Sequence, residues 1–165
     1  MNHAVYELLV PRLPKASDRI LQVLLIIIIA ALAVGTLIFG PILFLIAIVL
    51  GVVSYLFIFP RFHVEYEYTL LNHDLDIDII YNRSKRKSVI SFNLKEAEII
   101  APAQSHRLDS YHNIKTLDYS AQDPQNTPYA VIISMNQTVN RILIQPDATM
   151  LEHMQNFLPR TLFKD

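Results

Sequence analysis

Three regimes of apolar and polar residues follow one another along the chain. From Ile20 to Pro60 there are 41 consecutive residues without a charged side chain, and Gln22 is the only strongly polar one among them. A single helix of that length would extend about 60 Å, roughly twice the hydrocarbon thickness of a bilayer. Phe39-Gly40-Pro41-Ile42 interrupts the run near its middle. Glycine ends helices just past the C-cap, and proline suits the first position of the next one. The pattern predicts a transmembrane hairpin over residues 20–59, with helices at 20–39 and 42–59 and a tight turn between them. Every face of both helices is apolar, so the rest of a 165-residue chain could not cover them. Ala31-Leu32-Ala33 is compatible with signal-peptide cleavage, but the apolar run continues for 26 further residues to Phe59, which no signal peptide needs.

Residues 1–19 read as a lead-in, in which Val5, Leu8 and Leu9 share a short helical face before Pro11 and Pro14. Ser17-Asp18 is a reasonable helix start. Past Arg61 the apolar period changes to two. Phe62, Val64, Tyr66, Tyr68 and Leu70 alternate with polar residues, as in a half-buried strand. Leu75, Ile77, Ile79 and Tyr81 define a second strand, with Asp76 and Asp78 on its other face. Ile90, Phe92 and Leu94 define a third. A helical turn at 95–97 leads to a fourth strand at 98–101, residues 102–113 form a polar loop, and strands follow at 114–119, 129–135 and 139–144. The period then becomes helical. Asp147 is a candidate N-cap, and Met150, Leu151, Met154, Phe157 and Leu158 lie on one face.

Charge adds an orientation. Arg12, Lys15 and Arg19 flank the first apolar helix, Arg61 follows the second, and the turn between them carries no charge. Basic flanks favour the cytoplasm, so both termini are expected there, in a multi-pass protein of the cell membrane. From Arg61 onward there are 11 Lys/Arg against 13 Asp/Glu, a net charge of -2. The basic stretch Asn82-Arg83-Ser84-Lys85-Arg86-Lys87 therefore stands alone, without the extended footprint of a nucleic-acid surface. Counting strands back from Arg61 returns this turn to the membrane-proximal end of the domain. There Arg83, Lys85, Arg86 and Lys87 are candidates for contact with anionic lipid. Absence of cysteine removes disulfides and thiolate metal sites. With the orientation inward, Asn82-Arg83-Ser84 and Asn136-Gln137-Thr138 are chance glycosylation matches.

Candidate chemistry is sparse. His73, Asp74, Asp76 and Asp78 are good ligand types for divalent metals, but Asp76 and Asp78 have the spacing of an ordinary polar strand face. Ser105, His106 and Asp109 supply the letters of a hydrolase triad without a nucleophile elbow. All three glycines lie in the apolar run, which excludes glycine-dependent nucleotide motifs. Within the helices, Ala31 and Gly35, and Ala47 and Gly51, have the small-xxx-small spacing that lets transmembrane backbones approach.

Seven short antiparallel strands grouped four then three, and closed by one amphipathic helix, is the element order of the pleckstrin-homology-like (PH-like) fold. The stretches VEYEYTLLNHDLDIDIIYNRSKRK and RILIQPDATMLEHMQNFLPR, with the lead-in ELLVPRLPKASDRIL, resemble an uncharacterised family of small bacterial membrane proteins. In that family two transmembrane helices precede a bacterial PH-like domain. The resemblance implies an α+β membrane protein, with a helical hairpin followed by a seven-stranded, partly open antiparallel barrel over residues 61–165, capped by its C-terminal helix. It carries over no functional residue. The expectation is a non-catalytic, membrane-anchored scaffold or accessory subunit without a cofactor, metal or nucleic acid, binding a protein partner or anionic headgroups at the inner leaflet. Two alternatives stand beside it. One is a metal-dependent membrane enzyme using the His73 cluster, and the other is a structural oligomer packed through the small residues.

Overall fold

A computed structural model describes residues 5–164. Its elements fall into two compact units, one helical and one built of sheets.

The helical unit contains α1 (Ala16–Phe39) and α2 (Ile42–Val53). α1 begins four residues before the apolar run, because the Lys15 N–H donates to the Asp18 carboxylate (3.2 Å) and closes the first turn. Gly40 ends α1 at φ +90°, where a side chain is disfavoured, and its N–H donates to the Thr36 carbonyl. α2 continues as a wide π-type turn at Ser54–Ile58 and a tight 3-10 turn at Phe59–Phe62, so the helical run ends three residues later than its sequence predicts. Pro60 accounts for the change of pitch. It has no N–H to give the Leu56 carbonyl, and its ring crowds that group. Both helical runs, 24 and 21 residues long, are apolar enough to cross a bilayer. No residue of α1 is buried, and Ala47 is the only buried residue of α2.

Among the described residues the sheet unit has eight strands rather than seven. β1 (Val5–Pro11), β2 (Val64–Leu71), β3 (Asp74–Tyr81) and β4 (Lys85–Asn93) form sheet 1 in that order. The expected helical face of the lead-in is therefore a strand. β1 pairs antiparallel with β2 from Val5↔Leu71 to Pro11↔Glu65. Seven ladder positions against β2 outweigh an isolated helical turn broken by two prolines. Along β2 and β3 the predicted alternation holds, with Val64, Tyr66, Tyr68, Leu70, Leu75 and Ile77 buried.

Sheet 2 contains β5 (Ala97–Pro102), β7 (Tyr129–Met135), β8 (Thr138–Ile144) and β6 (Lys115–Asp118), in that spatial order. β6 runs parallel to β8, so the domain is not wholly antiparallel. The cause is the connection from β5, which crosses the sheet and delivers β6 to the far edge. That connection is not the polar loop its sequence suggests. It contains a 3-10 helix, His106–Tyr111, and packs Leu108 onto Ala101, Ala130 and Ile132, with Tyr111 and Ile114 alongside. Ala130, Val131, Ile132 and Ile133 are consequently all inaccessible to solvent, because both faces of β7 are covered.

Asparagines take the turns that the absence of glycine leaves open. Asn82 and Arg83 in the β3–β4 turn, and Asn136 and Gln137 in the β7–β8 turn, all have positive φ. Two consecutive left-handed residues make type I′ geometry, which suits tight hairpins. α3 (Ala148–Phe157) starts at Asp147, whose carboxylate accepts the Met150 N–H (2.8 Å) as expected. Met150, Met154 and Leu158 are buried in the core, while Leu151 and Phe157 are only half covered. The chain ends alongside β5, where Thr161 and Phe163 exchange backbone hydrogen bonds with Ile100.

Candidate functional site

The basic stretch lies on the β3–β4 turn and the first residues of β4. The Asn82 N–H donates to the His63 carbonyl (2.8 Å), which fastens the turn to the residue directly after the helical run. The four cations behave differently, and Arg83 occupies an exposed position within the turn itself. Arg86 reaches over the exposed face of sheet 1, where its Nε donates to Asp78 and an Nη contacts Glu67, each at 2.5 Å. The Asp78 hydrogen bond raises the pKa of Arg86 further above its ordinary value, with Glu67, Asp78 and Glu7 adding attraction. Lys85 and Lys87 are exposed, and neither has an ion-pair partner among the described residues.

Distances disperse the His73 cluster. His73 packs edge-on against the Phe157 ring, with centroids 4.8 Å apart. Asp74 accepts the Asn93 amide (2.7 Å), and Asp78 is engaged by Arg86. Among the described residues no group of three or more His, Cys, Asp or Glu is placed to hold a metal. Ser105 caps the 3-10 helix by accepting the Arg107 N–H, and His106 and His112 each approach Asp109, at 3.5 and 3.6 Å. The Ser105 oxygen is thus occupied with local backbone structure.

The small residues of the helices divide. Ala47 is buried, and a Cβ added at Gly35 would lie 3.2 Å from the Leu43 side chain, so this part of the stripe serves contact between α1 and α2. A Cβ added at Gly51 would meet nothing within 4 Å.

One polar cluster inside the domain has no counterpart in the sequence patterns. Tyr68 is fully buried, and its hydroxyl donates to the Tyr119 carbonyl and accepts the Gln145 N–H (3.2 Å). Burial pushes its pKa far above the ordinary tyrosine value. The phenol therefore stays protonated and acts as a structural pin between β2 and the ends of β6 and β8.

Two packed sheets closed by a C-terminal helix define a PH-like domain, and two apolar helices accompany it near the N-terminus. A family model described as "Bacterial PH-like domain (DUF6106)" matches residues 2–164, so nearly the whole chain belongs to that family. No curated protein and no solved structure matches the chain. PH-like domains are generally interaction modules rather than catalysts.

Proposed function

We propose that the protein is a membrane-anchored, non-catalytic interaction module whose two apolar helices cross the cell membrane as a hairpin. The carrying observation is the β1–β2 ladder. The apolar segment lies between two strands hydrogen-bonded over seven positions, so both of its ends leave the bilayer on the same side. The ladder also argues against a cleaved signal sequence, since cleavage near Ala33 would remove β1. Only Ala47 is buried in the two helices, which argues against a soluble core. Arg12, Lys15, Arg19 and Arg61 favour the cytoplasm for both flanks and for the domain.

On this reading the β3–β4 turn faces the inner leaflet, because it is fastened to His63. Arg83, Lys85 and Lys87 supply attraction to anionic headgroups, worth about 1 kcal/mol per cation near the surface, while Arg86 mainly organises the strand face. The domain then presents its remaining surface to a protein partner, as a scaffold or accessory subunit. Packing of Gly35 and Ala47 serves the hairpin itself, and the exposed Ala31 and the open flank at Gly51 are where oligomerisation would be sought.

Two experiments test this. Protease added to intact cells should spare the domain, and cleavage after Arg61 would overturn the orientation. A soluble form in which a short turn replaces residues 14–63 should bind anionic vesicles and lose binding when Lys85 and Lys87 become glutamate. If it never binds them at moderate salt, the lipid contact is wrong.

A further inference from the structure

The outermost strands of the two sheets have unequal company. β5 bears the C-terminal tail, through the backbone bonds that Ile100 exchanges with Thr161 and Phe163. Beside β1, the Tyr6 hydroxyl donates to Asp147 (2.5 Å) and the Tyr6 ring stacks on His153. Just past that strand, the Leu13 N–H donates to the Ala121 carbonyl (2.8 Å). β6 has only four residues. β4 has nine and pairs only with β3, and among the described residues its other edge receives no backbone hydrogen bond.

Backbone chemistry keeps that edge open. β4 contains no proline, no glycine and no residue of positive φ, so it stays extended throughout. Alternate residues of such a strand point N–H and C=O outward, about four pairs over nine residues. Unpaired groups of this kind are a template for a further strand. Six of the nine residues are exposed, Val89 among them.

Charge decides which strand can use the template. Lysine at an edge deters indiscriminate pairing and admits an acidic partner. Lys85 and Lys87 are exposed, lie two residues apart, and have no ion-pair partner among the described residues. On its paired side β4 already engages an acidic strand, since Arg86 donates to Asp78 and Asn93 donates to Asp74.

We propose that β4 takes up an extended acidic segment of a protein partner, which adds to sheet 1 as a further strand. Backbone bonds hold the segment, and Lys85 and Lys87 select carboxylates two residues apart within it. The inference names the partner chemistry of the interaction-module reading and rests on that reading. Because the lipid contact draws on the same two lysines, partner and headgroups compete for them.

The test uses the full chain in nanodiscs of zwitterionic lipid, with three synthetic probes. One is a peptide of the β3 sequence, residues 74–81. The second is its neutral form, Asp74→Asn with Asp76→Asn and Asp78→Asn, and the third is its Ile77→Pro form. Hydrogen exchange of the β4 amides, resolved by NMR, reports pairing. The acidic probe should saturate by about 1 mM and slow exchange at alternate β4 amides by about tenfold or more. The neutral probe should bind about fivefold more weakly. The proline probe should give no protection, because it lacks an N–H and breaks the ladder. In the protein, Lys85→Gln with Lys87→Gln should weaken the acidic probe by about fivefold. Equal binding of the neutral or proline probe, indifference to the lysine changes, or no protection by about 1 mM probe would overturn the proposal. Protection of β4 by anionic lipid but not by the acidic probe assigns the lysines to lipid alone, and overturns it as well. Failure here leaves the orientation to the protease experiment and the lipid contact to the vesicle experiment.

Discussion

The two sheets of the domain share a core but differ in what covers their outer faces. Sheet 1 presents Glu7, Glu65, Glu67, Asp76 and Asp78 outward, with Arg86 laid across them. Sheet 2 is roofed by its own β5–β6 connection, and four consecutive residues of β7 are fully buried. One sheet therefore stores stability on one face, and the other stores it on both. Solvation of an outer face leaves a surface free for charge and contact, whereas a roof converts the same face into core.

The comparison can be broken most sharply at the sheet edges. Removing residues 1–11 strips β1 and should abolish cooperative unfolding of the domain. Replacing residues 14–63 with a short turn should preserve it, because Pro11 and Glu65 are already cross-strand partners. Circular dichroism of the two forms distinguishes these outcomes, and a folded β1 deletion would show sheet 1 to be self-sufficient. Next in size, Ile132→Ala on the roofed face of sheet 2 should cost about 2–5 kcal/mol, against less than about 0.5 kcal/mol for Thr69→Ala on the open face of sheet 1. Denaturant unfolding of the soluble form measures both, and equal costs would refute the distinction.

Tyr68→Phe leaves the Gln145 N–H without its acceptor and should cost about 1–3 kcal/mol. The pH dependence has a definite sign. The folded phenol has a raised pKa, so its stabilisation is complete below about pH 10, where the unfolded tyrosine ionises, and falls as pH rises beyond that. Tyr68→Phe should flatten that alkaline loss. A milder change, Asp147→Ala, removes the α3 cap and should cost about 1 kcal/mol by the same measurement. Smallest of all, Arg86→Ala on the solvated face should cost under about 1 kcal/mol, because exposed ion pairs contribute little. A larger loss would mean that the open face of sheet 1 is more than a solvated surface.

The open face of sheet 1 explains why part of the fold was legible in sequence. Phe62 to Leu70 alternate because one side of β2 meets water, and period two follows directly. Asp147 and the apolar face of α3 were visible for a similar reason, since a cap and a helical period are both local. β1 was misread because Val5, Leu8 and Leu9 fit a helix, while Tyr6, Leu8 and Val10 carried the competing period of two. The roof over sheet 2 left a trace in Leu108, Tyr111 and Ile114, whose spacing of three matches a 3-10 turn. Neither the parallel pairing of β6 nor the tethering of Arg86 is encoded locally. The first depends on a crossover, and the second depends on Glu67 and Asp78 from two other strands.

The β1–β2 ladder also sets an order of events during synthesis. β1 is made first, yet its partner follows only after α1 and α2, and Pro11 waits 54 positions for Glu65. Sheet 1 cannot close on a ribosome-bound chain until the whole apolar hairpin has been translated. Completion of the sheet is therefore coupled to production of the two apolar helices, and a chain truncated before β2 leaves an unpaired strand for quality control to recognise.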